Sequence, residues 1–276
     1  MHYPHLAKPF AIGTLRLTNR IVMPSLVVFA AEEDRSVTLA IRGHYTESRG
    51  AGLVVVEEAV VAPEGRLART QIGIFEDRHV EGLAGIAEII HGNSAAVAIQ
   101  IHHAGRNTTD QCEHLRTSPR GPVARRGREG HGAGRARRGR DRARDPLANS
   151  RGDRWGGSLE NGARFLREML ARIRAATAGG LIDYTRLGVA EGEAGGLVLA
   201  DGIQVARWLE QDGVQLLHVT NGIGSVPRIA PEGSPHADRL HLGIEVKRSV
   251  GIPVIGVGAS ECPMRRKRYW PAGSCT

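Results

Sequence analysis

The sequence predicts an α/β fold built on a parallel sheet, and three observations lead there. Segments patterned as buried strands alternate in regular order with segments of 3.6-residue apolar period, the signature of βαβ units. One strand segment, residues 96–101 (AVAIQI), is apolar apart from Gln100 and then switches abruptly to His102, His103, Gly105 and Arg106. A strand of that kind, buried on both faces, delivers polar groups at its carboxyl end, where α/β folds hold their ligands. At 276 residues and 41% hydrophobic content, the chain can bury the core of one large α/β domain or two small ones.

Residues 10–18 (FAIGTLRLT) alternate as a hairpin about Gly13-Thr14, which would cap the bottom of a barrel. Residues 20–26 read as the first buried strand. Residues 38–48 read as a helix with Thr38 as N-cap. Residues 52–61 (GLVVVEEAVV) are a β-branched run and the second strand. Residues 78–91 place Val80, Leu83, Ile86, Ala87 and Ile90 on one helical face, and the third strand begins at Ala96.

The order resumes after residue 149. Residues 158–176 form a long amphipathic helix with Phe165, Leu166, Met169, Leu170 and Ile173 as its apolar side. A strand comes next at 184–189, then a helix at 199–211 closed by Gly213, a strand at 214–220, a helix at 236–250 and a strand at 253–257 ending at Gly258. These make six core strands, two short of a closed (β/α)8 barrel.

Charge is distributed unevenly. The formal net charge is +8. Residues 112–148 hold 11 Arg against Glu113, Glu129, Asp141 and Asp145, a net +7. The tail 261–276 contributes a further +3, so the rest of the chain stands at −2 and carries no basic footprint for nucleic acid. No apolar run approaches the ~18 residues of a membrane span, and the N-terminus has no signal-peptide pattern. The three cysteines, Cys112, Cys262 and Cys275, make no metal spacing. An odd, scattered count suits a reducing cytosol, so a cytoplasmic protein is expected.

Four stretches carry a family resemblance. Residues 100–106 (QIHHAGR), 19–25 (NRIVMPS), 153–165 (DRWGGSLENGARF) and 186–189 (RLGV) resemble, in family order, the third strand, the first strand, the signature after the fourth strand and the fifth strand of the Old Yellow Enzyme family of FMN-dependent NADH:flavin oxidoreductases. The motifs cover roughly residues 5–111 and 149–259. The resemblance implies a (β/α)8 barrel, here incomplete, with the fourth and eighth strands missing. Its parts would be residues 1–111 and 149–260, interrupted by an Arg/Gly-rich segment at 112–148 and followed by a divergent basic tail at 261–276.

It also implies FMN as cofactor, NAD(P)H as reductant and an enone-like small molecule as acceptor. Gln100 and Arg186 would hold the flavin pyrimidine, since an amide offers both donor and acceptor to a heterocycle edge and a cation stabilises the anionic reduced ring. Pro24 and Ser25 would lie beside the ring, and Gly258 at a later strand end. Glu58 stands where many members have Ala; its backbone could contact the flavin and its carboxylate is a departure. A homo-oligomer is compatible with this reading.

Each residue also has a bland reading. Pro24 and Ser25 could simply end a strand. Arg186, inside an apolar strand, could be a structural ion pair with Glu191 or Glu193. Glu57 and Glu58 resemble a paired-carboxylate site, yet adjacent strand residues face opposite ways. His102 and His103 diverge for the same reason, so no metal site is expected.

Residues 112–148 hold no aromatic residue and only Leu115, Val123 and Leu147 among large aliphatics. Such a segment is expected to be disordered, because it buries too little apolar surface to offset its ordering entropy. The family's substrate-binding His pair and its proton-donating Tyr would fall there and are not encoded; His114 and His131 lie in another context. Catalytic and substrate-binding residues therefore stay unassigned. The composition of 112–148 and 261–276 reads as out-of-frame translation of a G+C-rich gene, or as an insertion, with a truncated C-terminus. Two other functions stand beside the enzyme: a catalytically inactive fragment from a damaged gene, and an RNA-binding protein acting through the arginines. The second is weakened by the lack of interleaved aromatics.

Overall fold

A two-residue turn with Gly13 at φ 54° joins strands β1 (Phe10–Ile12) and β2 (Leu15–Leu17), which pair antiparallel with Phe10 opposite Leu17. The hairpin is the one expected. This computed structural model describes residues 4–104, 151–192, 196–222, 226–232, 234 and 237–257. The expectations for residues 112–148 and 261–276, including the fourth and eighth strands, lie outside them, as does Gly258. The chain divides into two units, Met1–Phe165 and Leu166–Thr276.

In the first unit, β3 (Val22–Met23), β4 (Leu53–Val60) and β5 (Ala96–His102) form a parallel sheet in that order. β3 is far shorter than the predicted 20–26. Pro24 has no N–H to give to the ladder, and Ile21 and Leu26 are exposed. Asn19 Oδ1 accepts the Ile21 N–H at 2.9 Å, and Ile21 O accepts from Gly52. β4 is central, and its Leu53, Val54 and Val55 are buried. β5, expected to be buried on both faces, is half-buried, with Ile101 exposed. Among the described residues it has β4 on one side alone.

Helix α1 (Leu39–Thr46) starts as predicted, with Thr38 Oγ1 accepting the Ile41 N–H. Helix α2 (Arg78–Gly92) packs against it. Ile41, Tyr45, Val54, Val56, Ala59, Ile72, Ile86 and Ile90 form the core between helices and sheet. The predicted face of α2 turns inward at Leu83, Ile86, Ala87 and Ile90 and fails at its first residue alone. Val80 is 62% exposed, while His79 is buried, its Nδ1 accepting the Glu76 N–H at 3.2 Å and its Nε2 lying 3.0 Å from Asp34 O. Local hydrogen bonds to the ring outweigh the apolar preference of its neighbour.

The second unit repeats the plan. β6 (Tyr184–Gly188), β7 (Leu216–Thr220) and β8 (Val254–Gly256) form a parallel sheet in that order, connected by α4 (Leu199–Gln211) and α5 (Asp238–Ser249). α4 closes as expected with Gly213 at φ 93°. Gly202 lets α4 approach the end of β6: a Cβ there would lie 2.0 Å from Val189 O. α3 (Leu159–Ala176) spans the boundary between the units. Its Arg167 grips Asp212 through two bonds, Nε to Oδ2 at 2.5 Å and Nη2 to Oδ1 at 2.8 Å, and its Arg174 pairs with Asp183. Phe165, predicted on the apolar side, is exposed, its ring edge-on to Trp155 at 6.1 Å. No helix among the described residues is long and apolar enough to cross a membrane.

Candidate functional site

Three neighbouring parallel strands end at one corner of the first unit. β3 runs directly into Pro24 and Ser25, β4 carries Glu57 and Glu58 near its end, and β5 carries Gln100 and His102. The β4–β5 register shifts within this corner. Val56 opposes Ile99 and Glu58 opposes Gln100, so Glu57 is an extra residue, a β-bulge that re-aims the rest of the strand. Opposed residues share a face, and Glu58 and Gln100 do.

The side chains converge. The Ser25 hydroxyl donates to Gln100 Oε1, and Gln100 Nε2 donates to Glu58 Oε1 at 3.1 Å. These two bonds fix which end of the amide is oxygen. Glu58 Oε2 lies 3.6 Å from His102 Nε2. Gln71 is fully buried: its Oε1 accepts the Leu67 N–H at 2.8 Å, and its Nε2 donates to Glu58 O at 2.8 Å. Gln71 Nε2 also lies 3.2 Å from His102 Nδ1, so Nδ1 accepts and the ring hydrogen is on Nε2, facing Glu58. His103 points elsewhere, its ring over Gly65, where a Cβ would meet it at 2.6 Å.

Glu57 was not expected to matter, and it is fully buried. Its Oε2 accepts the Val28 N–H at 3.1 Å, tying down the loop that begins at Pro24 and Ser25, and its own N–H donates to Tyr45 Oη at 2.8 Å. Its Oε1 has no hydrogen-bond partner among the described residues. Burial pushes the carboxyl up to about 7, with the charge of Glu58 adding to the rise and the Val28 N–H opposing it. Burial also raises the Tyr45 hydroxyl.

In the second unit Arg186 stands opposite His218 in the β6–β7 register. Arg186 is exposed, which corrects the expectation of a guanidinium buried in an apolar strand. A cation at the water boundary avoids the desolvation that made burial costly. His218 is buried instead. Its Nδ1 lies 2.5 Å from Tyr184 Oη and its ring stacks on that of Tyr184. Burial, then the charge of Arg186, lowers His218 to about 4. Glu193, one suggested partner of Arg186, lies outside the described residues. Gly188 and Gly222 meet backbone to backbone, and a Cβ on Gly222 would strike Glu191.

Of the predicted residues, the structure brings Ser25, Glu58 and Gln100 together, with Pro24 adjoining, and places Arg186 on the other unit. Glu57, Gln71 and His218 were missed. His218 had a signal, a lone ionisable residue in an apolar strand, and Glu57 had a weaker one as half of an acidic pair in such a strand, whereas Gln71 sits in a loop with none.

The family described as NADH:flavin oxidoreductase / NADH oxidase matches residues 5–136 and 141–267, reaching further than the four motifs. An NADH oxidase of Thermoanaerobacter brockii is 33% identical over 302 aligned residues, covering 95% of this chain and 46% of that protein. The chain thus spans about half that relative's length. An NADPH dehydrogenase of Halalkalibacterium halodurans is 28% identical over 319 residues, covering 96% and 92%. Among solved structures, a complex of 2-naphthoyl-CoA reductase with 2-naphthoyl-CoA has a TM-score of 0.71 at 24% identity, covering 91% of this chain and 46% of that one. The old yellow enzyme homologue from Zymomonas mobilis has a TM-score of 0.67 at 21% identity, covering 93% and 82%. These likenesses show the α/β barrel fold.

Proposed function

Because the chain belongs to the NADH:flavin oxidoreductase / NADH oxidase family, we propose that it is an FMN-dependent NAD(P)H oxidoreductase whose acceptor is an enone or a related electron-poor alkene. The observation that carries this reading is the meeting of Ser25, Glu58 and Gln100 at the carboxyl ends of three adjacent parallel strands. An amide and a hydroxyl that can donate and accept, beside a carboxylate that accepts, match the alternating C=O and N–H edge of a flavin pyrimidine, so these residues fit the cofactor.

Held by these residues, FMN would supply hydride transfer between the nicotinamide and the acceptor. The chain's own residues orient it. Gln100 would read the pyrimidine edge and Pro24 and Ser25 would flank the ring, while Glu57 steadies their loop through Val28. In this reading Arg186 is the cation that favours reduced flavin. Gly258 would contribute backbone at a later strand end. The names of the relatives, NADH oxidase and NADPH dehydrogenase, support a nicotinamide reductant. In the same reading, the family's substrate-binding His pair is not encoded in residues 112–148.

The test is to equilibrate the full chain with FMN, measure retained flavin by its visible absorption, and add NADH or NADPH and then 2-cyclohexenone. The expected result is saturable FMN uptake, bleaching by the nicotinamide and recovery of colour with the enone. A chain that retains no FMN overturns the proposal.

A further inference from the structure

We propose that Glu58 sets the redox preference of the site: its carboxylate locks the Gln100 amide and places a negative charge beside the flavin pyrimidine, favouring oxidised over reduced FMN. This rests on the FMN reading above and goes beyond it, because that reading gives Glu58 no electronic role.

The bulge at Glu57 puts Glu58, not its neighbour, opposite Gln100. Glu58 Oε1 then accepts from Gln100 Nε2 at 3.1 Å while Ser25 donates to the other end of the amide. With Ala at residue 58 the amide could turn over; with Glu it is held in one orientation. The carboxylate is also not open to bulk water: its side chain is 17% exposed, and the His102 beside it 20%. A charge in such a place acts through a lower effective dielectric than one in solvent. Gln71, held by Leu67 and by Glu58 O, directs the His102 N–H toward Glu58 Oε2 at 3.6 Å, which fixes where the negative end points.

A negative charge near the pyrimidine disfavours the anionic two-electron-reduced cofactor relative to the neutral oxidised one. It therefore makes bound FMN harder to reduce. The size expected for one partly shielded charge is on the order of tenfold in the ratio of reduced to oxidised affinity, which for a two-electron couple is ~30 mV.

The experiment measures the midpoint potential of FMN bound to the full chain by equilibration against a reference dye, in parent, Glu58→Gln and Glu58→Ala. Both variants should shift to higher potential by about that amount. Glu58→Gln keeps an oxygen that can accept from Gln100, so it separates charge from orientation and guards against an Ala variant that folds poorly. FMN bound at an unchanged or lower potential in Glu58→Gln overturns the inference while leaving the enzyme reading intact. A parent chain that takes up no FMN overturns both.

Discussion

Tyr184 Oη and His218 Nδ1 lie 2.5 Å apart across the β6–β7 pair, with Arg186 opposite His218 in the same register. The pair places a buried imidazole next to a phenol and within the field of a guanidinium, and Nε2 of His218 has no hydrogen-bond partner among the described residues. An imidazole so placed must stay neutral for the strands to stay packed.

Stability should therefore fall in mild acid through His218. Its folded pKa is lowered to about 4 from 6.5, so the unfolded chain binds a proton in this window that the folded one does not. The contribution is full above pH 6.5 and lost as pH falls toward 4, up to about 3 kcal/mol. In urea unfolding, the stability of His218→Phe relative to the parent should rise as pH falls from 7 to 4.5. A constant difference across that range would refute it.

Glu57 should act in the opposite sense. Its folded pKa is raised from 4.5 to about 7, so the folded state holds a proton the unfolded state has released. Its contribution is complete below pH 4.5 and lost as pH rises through 7, again by about 3 kcal/mol at most. Glu57→Gln should be more stable than the parent at pH 8 and equal to it near pH 4.5. The parent itself should show little net dependence from these two groups between pH 4.5 and 6.5, because their slopes oppose.

Gly202→Ala should destabilise the second unit. The added carbon would lie 2.0 Å from Val189 O, a backbone atom that cannot rotate away, so α4 must lift from the end of β6. Overpacking of this kind costs about 1–3 kcal/mol, readable as a lower urea midpoint. Gly162→Ala, on a helix with nothing within 4 Å of the added carbon, is the control and should be neutral or slightly stabilising.

Arg186→Ala should lower the potential of bound FMN and weaken its binding, the reverse of the shift expected at Glu58. Because Arg186 is exposed, the substitution opens no buried cavity, so the urea midpoint should move less than in Gly202→Ala. A loss of stability with an unchanged potential would assign Arg186 a structural role only.

Much of this was legible in the residue pattern. The alternation of strands and helices, the Thr38 cap and the Gly213 stop are local signals, and local physics decides them. Gln100 was legible near the polar end of an apolar strand, whereas Ser25 and Glu58 were singled out only through the family resemblance of their strands. The features that escaped were decided by pairing. Period-2 alternation sends Glu57 and Glu58 to opposite faces and says nothing of a bulge between them. The burial of β5 depends on how many strands flank it, and the exposure of Arg186 on where the sheet meets water. His79 displaced Val80 from the core because two backbone groups, one in a distant loop, bond its ring.

The bulge in β4 also bears on heredity. Two identical residues stand side by side with separate duties: one anchors the loop at Val28, the other holds the amide of Gln100. Loss of either codon yields the same protein, reading VVVEAVV, and the lone glutamate can serve only one of the two duties. A regular ladder from Val56 onward would bring it opposite Gln100, so the shortened strand would keep the amide and surrender the loop. The doubling is a ratchet: a single in-frame deletion there removes a duty, and no later substitution within the shortened strand restores both.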